Sequence, residues 1–250
     1  MEHDLRLGDA RKPPYNIRVH LAYCDPPTNR GKNEGNSSDR LSYDEYREFA
    51  YWWLTKTISL LKDNAWLVLT LPTSRPTNFN IRYLYETIIH TQTTLVLEQP
   101  CIWDYGFGLY THKRFVPSHD DVLIYKQGRP TFYQKHVRIE SQRLRDGDPR
   151  ANPLGRTPSD VWSIPRTPGN SKEREFLRGN DRTCQPTQLC KRVLLAYTRQ
   201  GDSVYEPFAG SGSMAVVARA HQRNYYGLEI CSEYIHDIKR RLNESWQNLL

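Results

Sequence analysis

Apolar residues recur along this chain with two different periods, and the changes between them mark its elements. Val19-His20-Leu21-Ala22-Tyr23 is a short apolar run that stops at Asp25-Pro26-Pro27. This reads as a strand, ended by prolines that cannot donate to a sheet ladder. The polar stretch TNRGKNEGNSSD (28–39) reads as a mobile loop. Ser42 and Glu45 fit a capping box, and Tyr46, Phe49, Ala50, Trp53, Leu54, Ile58 and Leu61 follow at helical spacing. That helix is expected to end near Lys62-Asp63-Asn64, before a buried strand AWLVLTLP (65–72). Residues 79–91 read as a helix, Thr93 to Leu97 as a strand, and Asp121 to Lys126 as another. From 126 to 182, Pro and Gly punctuate a segment of little periodicity, expected to be irregular. Helical spacing returns at 186–199; Ser203 to Glu206 reads as a strand, then a helix to about His221, a strand Tyr225 to Glu229 and a closing helix over 232–248. Strands alternating with helices predict a mostly parallel sheet covered on both faces, so the fold class is α/β.

Composition narrows the setting. At 250 residues, 38% hydrophobic with 16 Tyr and 6 Trp, the chain can bury a sizeable core without staples and is not globally disordered. Mean hydropathy is -0.75. No apolar run approaches the roughly 18–20 residues of a membrane span, and MEHDLRLGDARK has no apolar core of a secretory signal. The five cysteines are scattered with no C-x-x-C pair, fitting neither a disulfide framework nor a zinc site. Reduced thiols, no metal and a cytoplasmic setting are expected.

Charge is unevenly placed. Of the net +7, residues 126–182 hold 13 Lys/Arg against 7 Asp/Glu, a net of +6, while the remaining residues hold 22 against 21. Arg138, Arg143, Arg145, Arg150 and Arg156 dominate, interleaved with Phe132, Tyr133 and His136. Arginine's donor fork suits phosphates and guanine edges, so the segment reads either as a nucleic-acid face or as a solvated basic loop.

Two local features carry chemistry. In SVYEPFAGSGSMAVVARAHQRNYYGLE a strand enters Gly210-Ser211-Gly212, a helix follows, and the next strand ends at Glu229, 19 residues beyond Gly210. Glycines let a ligand approach the backbone, and an acidic residue at about 20 residues meets ribose hydroxyls in nucleotide folds. A tight turn with no ligand is the alternative. Glu206 at the entry would repel a pyrophosphate but suits the cationic end of S-adenosylmethionine. The second feature is Asp25-Pro26-Pro27 at a strand's carboxyl end, where open α/β sheets hold their ligands. A carboxylate beside a fixed carbonyl offers two acceptors, which suits an amino group; a structural Asp-Pro turn is the alternative.

Taken in order, these pieces resemble the β-class amino-DNA methyltransferases over nearly the full chain. The order is LGDA (7–10), CDPPT (24–28), the basic segment, PSDVWSIP (158–165), CQPTQ (184–188), EPFAGSGS (206–213), YYGLE (225–229) and CSEYIHDIKRRL. The resemblance implies a Rossmann-like S-adenosylmethionine methyltransferase sheet with circularly permuted motifs. Its catalytic half would be 1–125, a target-recognition insertion 126–182, and a cofactor half 183–250. It implies that Phe208, Gly210 and Gly212 line the S-adenosylmethionine site with Glu206, that Glu229 binds the ribose and Asp9 the adenine, and that Thr187 and Gln188 hold the methionine carboxylate. Asp25, Pro26, Pro27 and Thr28 would form the catalytic motif, and double-stranded DNA would be the partner, with a homodimer admitted. Asp25 and the Pro26 carbonyl would accept hydrogen bonds from the amine of a flipped base.

The family's fourth motif position is usually aromatic and stacks on that base; here it is Thr28. Trp52, Trp53 or Trp103 are candidates to replace it. Asp in place of Ser in D-P-P favours adenine N6 over cytosine N4. The competing readings are a cytosine-N4 enzyme, a catalytically silent DNA-binding protein of the same fold, and a methyltransferase for RNA or a side-chain amide.

Overall fold

The computed structural model describes the chain apart from residues 30, 32, 35, 36, 39, 74–79, 109, 111, 114, 176, 178–182 and 245–250. Its strands are β1 (His3–Leu7), β2 (Val19–Cys24), β3 (Asn33–Glu34), β4 (Ser37–Ser38), β5 (Leu61–Pro72), β6 (Val96–Asp104), β7 (His119–Gln127), β8 (Val161–Ser163), β9 (Ser203–Glu206) and β10 (Asn224–Glu229). Its helices are α1 (Tyr43–Ser59), α2 (Ile81–Gln92), α3 (Gln142–Arg145), α4 (Thr187–Tyr197), α5 (Ser213–Ala220) and α6 (Ser232–Glu244). Eight strands form one sheet in the order β1-β10-β9-β2-β5-β7-β6-β8, while β3 and β4 pair separately. Every neighbouring pair in the large sheet is parallel except the two that β7 makes, with β5 and β6.

Two apolar layers cover this sheet. Ala22 and Cys24 of β2 and Leu67, Leu69 and Leu71 of β5 face α1 and α2. Leu21, Tyr23, Trp66 and Val68 face the opposite side, towards α4, α5 and α6. Neighbouring residues thus enter different cores, as the period of two requires, which explains why these central strands read as continuous apolar runs.

The capping box is present: the Ser42 side chain accepts the Glu45 N–H, and the Glu45 carboxylate accepts the Ser42 N–H. Two boundaries differ from the sequence reading. The helix stops at Ser59, and Lys62-Asp63-Asn64 lie inside β5. Leu61 is fully buried and pairs with Val19, and a register shift after Val19 lets the strand carry exposed polar residues before its apolar run. The strand expected at 93–97 instead runs Val96–Asp104, through Pro100. A register shift precedes that proline, and β8 pairs only with residues 102–104, so Pro100 lies along an otherwise open edge. Within the stretch 28–39, read from the sequence as a loop, Asn33–Glu34 and Ser37–Ser38 pair as the antiparallel strands β3 and β4, while residues 30, 32, 35, 36 and 39 lie outside the described residues.

The basic segment leaves β7 at the edge opposite Asp25, where the Trp66 indole donates to the Thr131 carbonyl and Tyr133 N–H donates to the carbonyl of Ala196. It climbs back through a short turn, α3 and a single bridge between Ile139 and Arg156 to β8. No helix among the described residues is long and apolar enough to cross a membrane.

Candidate active site

β2 and β9 lie side by side, with Leu21 opposite Val204 and Ala22 opposite Tyr205. From β9 the chain passes through α5 to β10 on one side; from β2 it passes through α1 to β5 on the other. This divergence opens a crevice at the carboxyl ends of the two strands, the position where open α/β sheets bind ligands. Glu206 ends β9, and Asp25 follows directly on β2.

The Asp25-Pro26-Pro27-Thr28 turn is held from α1. The Tyr46 hydroxyl donates to the Pro27 carbonyl at 2.7 Å and lies 3.1 Å from the Tyr85 hydroxyl, to which the Trp53 indole also donates. Pro26 is buried, while Asp25, Pro27 and Thr28 are half-buried. Just beyond, Asn29 adopts a left-handed backbone (φ 54°), which Asn tolerates better than most residues. Its side-chain amide donates to the Leu41 carbonyl at 2.8 Å and accepts the Leu41 N–H at 2.7 Å. These two bonds fasten the chain on either side of residues 30–40.

Across the crevice, the glycine turn is organised by Glu229. One carboxylate oxygen accepts the Gly210 N–H at 2.8 Å and the other accepts the Cys231 N–H at 2.9 Å. Gly212 (φ 76°) starts α5, and a Cβ there would sit 2.7 Å from Cγ2 of Ile238, so only glycine lets α6 approach this closely. A Cβ at Gly210 would meet nothing closer than the Phe208 carbonyl at 3.9 Å. That open space beside the half-buried Gly210, with Glu229 bonded to its N–H, fits a cationic nucleoside. Phe208 packs edge-on against Trp53 at 5.0 Å and near Phe49 at 6.2 Å; the Arg11 guanidinium lies 5.9 Å over Phe49. Asp9 sits after β1, where Gly8 N–H donates to the Glu229 carbonyl. Burial would raise the Asp9 pKa, but its hydrogen bonds to Arg11 and that residue's charge outweigh this and hold it low.

Glu206 is a buried carboxylate. Burial, with the negative charges of Asp25 and Glu229, raises its pKa well above the usual range despite the hydrogen bond from the Tyr225 hydroxyl. The same surroundings raise the Cys24 thiol, chiefly by burial and then through Glu206 and Asp25, which argues against a thiolate nucleophile there. Asp25 and Glu229 thus share one crevice with Glu206, whose ionised form a positive ligand would favour.

The remaining sequence candidates separate. Thr187 opens α4, but its N–H and hydroxyl both donate to Glu173, at 3.0 Å each. Gln188 is exposed on the same helix, whereas Gln185 is buried, accepts the Tyr23 hydroxyl and, through its carbonyl, the Ser213 hydroxyl. Arg138 donates to the Gly155 carbonyl, Arg150 pairs with Asp148, Arg156 donates to Thr157, and Arg145 lies 3.7 Å from Glu140. Arg143, Arg145, Arg150 and Arg156 are exposed. Trp53 and Trp103 belong to the two cores and offer no free ring face; Trp52 is exposed on α1. Tyr46, Gln185, Tyr225, Glu173 and Arg241 were not foreseen, since each acts through a partner far away in the chain. No group of three or more His, Cys, Asp or Glu able to hold a metal ion occurs among the described residues.

A family model described as DNA methylase, of the N6/N4 type, matches residues 19–240. The chain belongs to the N6/N4 DNA methylase family. It is 28% identical to the type II methyltransferase M.HpaI of Haemophilus parainfluenzae over 91% of this chain and 69% of that protein. It is 27% identical to the DNA adenine methyltransferase YhdJ of Escherichia coli (strain K12), over 96% of this chain and 81% of that one. The PvuII cytosine-N4-specific DNA methyltransferase shares the fold, with a TM-score of 0.74 at 14% identity, covering 100% of this chain and 90% of that one. This chain is therefore a DNA methyltransferase.

Proposed function

We propose that this N6/N4 DNA methylase transfers the methyl group to the N6 amine of adenine in double-stranded DNA. The observation that carries this reading is the placement of Asp25 and Glu206 at the ends of the two adjacent strands that flank the crevice. S-adenosylmethionine supplies an electrophilic methyl group on a sulfonium. The glycine turn at Gly210 and Gly212 gives it room, Glu229 meets the ribose hydroxyls, and Glu206 offsets the sulfonium charge. Phe208 closes the apolar wall, Asp9 lies at the adenine end, and Thr187 with Gln188 receives the methionine end.

An amine inside a base pair is unreachable, so the target nucleotide is turned out of the duplex. Asp25 and the Pro26 carbonyl accept its two N–H groups, which draws the nitrogen lone pair out of ring conjugation towards the methyl carbon. Tyr46 fixes the turn, and positioning supplies much of the acceleration. Asp25, where the family it resembles has either Asp or Ser, leans the reading towards adenine by that resemblance. The basic segment 126–182, with Arg143, Arg145, Arg150 and Arg156 exposed, faces the phosphates and base edges.

The test is methyl transfer from labelled S-adenosylmethionine to a random-sequence duplex, followed by nucleoside chromatography. Label in N6-methyladenosine supports the reading, and label in N4-methylcytidine reverses the base assignment. Asp25→Ala is expected to abolish transfer while cofactor affinity stays within about twofold, because removing one interaction of the transition state leaves ground-state binding intact. Loss of cofactor affinity would put the catalytic motif elsewhere.

A further inference from the structure

Helix α4 begins after Pro186, which has no side-chain group to cap it. A carboxylate fills that role instead. Glu173 stands on a three-residue turn (Lys172–Arg174) in the basic segment, 14 residues before Thr187. One oxygen accepts the Thr187 N–H and the other its hydroxyl, both at 3.0 Å. Behind it, the guanidinium of Arg241, with no exposed surface, approaches to 3.6 Å. Arg241 also donates to the Ser211 carbonyl at 2.8 Å and the Ser213 hydroxyl at 3.1 Å. A helix N-terminus, a hydroxyl and a buried cation therefore converge on one carboxylate, and the same guanidinium is tied to the glycine turn.

This is a complete carboxylate seat. A buried arginine needs a counter-charge nearby, so the seat favours having some carboxylate in it. Glu173 keeps one-fifth of its side chain exposed and is carried on a single short turn, so it can leave without unpacking a helix. The methyl donor ends in an amino acid carboxylate of the same chemistry, and Thr187 is where its methionine end is placed above.

We propose that Glu173 is an internal competitor of the methyl donor: its carboxylate holds the seat formed by Thr187 and Arg241, and the methionine carboxylate of S-adenosylmethionine expels it. This rests on the cofactor placement given under the proposed function. It also makes the basic segment responsive to the cofactor, because Glu173 belongs to that segment.

The experiment compares two ligands on the full chain by calorimetry. S-adenosylmethionine carries the carboxylate and a sulfonium; 5′-methylthioadenosine has the same adenosine but a neutral thioether and no amino acid, so each variant is compared with wild type for each ligand separately. Glu173→Gln and Glu173→Ala are expected to bind S-adenosylmethionine about tenfold more tightly than wild type, the scale of one charge-assisted hydrogen bond, with 5′-methylthioadenosine unchanged. Unchanged or weaker S-adenosylmethionine binding in a folded variant, with 5′-methylthioadenosine still bound, would overturn the proposal and leave Glu173 as a fixed helix cap. Binding of neither ligand to wild type would overturn the cofactor placement and the competitor with it. Should the variants not fold, hydrogen exchange of wild type decides. Exchange at residues 172–175 rises with S-adenosylmethionine and not with 5′-methylthioadenosine; equal exchange under both overturns the proposal.

Discussion

The hydroxyl of Tyr46, one turn into α1, donates to the carbonyl of Pro27 at 2.7 Å, so the helix that follows the Asp25–Thr28 turn helps to hold it. Removing that bond without disturbing the ring isolates its effect. Tyr46→Phe is expected to lower stability by about 1 kcal/mol, the net value of one hydrogen bond. It should reduce kcat several-fold while leaving the dissociation constant for S-adenosylmethionine unchanged. Denaturant melts and single-turnover methylation measure the two effects.

The two glycines of the turn before α5 should fail differently. Gly212→Ala places a Cβ 2.7 Å from Ile238 at a left-handed φ, so α6 must shift, and a loss of about 1–3 kcal/mol is expected from strain and overpacking. Gly210→Ala has open space, so it incurs only the backbone penalty of about 1–2 kcal/mol, yet its methyl projects where the cofactor approaches. Cofactor affinity should therefore fall more for Gly210→Ala than thermal unfolding predicts. Paired melting and calorimetry would show the opposite order if the turn is only structural.

Glu206 gives a pH dependence of defined sign. Its pKa is raised in the fold, mainly by burial, so between the ordinary carboxylate value and the raised one the folded chain holds a proton that the unfolded chain has lost. Stability from this group is fully present below the ordinary value and is lost as pH rises towards the raised one. Glu206→Gln mimics the protonated form, and its melting temperature relative to wild type should climb with pH. A constant difference across that range would mean that Glu206 is ionised in the free protein.

Arg143 and Arg145 project from α3 into solvent. Replacing both with Gln is expected to weaken DNA binding at low salt and to flatten the dependence of log affinity on log salt by about one to two, one unit for each phosphate that is no longer neutralised. Fluorescence anisotropy at several salt concentrations reads this directly. An unchanged slope would move the DNA interface away from α3.

Much of the fold was legible because its strands and helices announce themselves locally. The Ser42–Glu45 box, the apolar run 65–72 and the Gly210–Gly212 turn lie where the spacing predicts. Local signals failed where partners are remote. β1 reads as a polar stretch, HDLRL, and becomes a strand because β10 offers it an edge more than two hundred residues away. Lys62-Asp63-Asn64 look like a break, yet burial of Leu61 against Val19 extends the strand through them. The same limit applies to the site. Asp25 and Glu206 were visible as motif members, but Glu173 is one acidic residue in a basic segment, and no spacing ties it to Thr187 or Arg241. Gln185 outranks Gln188 in burial only because Tyr23 and Ser213 surround it.

The amide of Asn29 grips both backbone groups of Leu41, so the two ends of the intervening stretch are held together by a clasp. The entropy of closing such a stretch grows only logarithmically with its length, about 0.6 kcal/mol per doubling. A change of length between the two ends of the clasp therefore costs little to the Asp25–Thr28 turn on one side or the cap of α1 on the other.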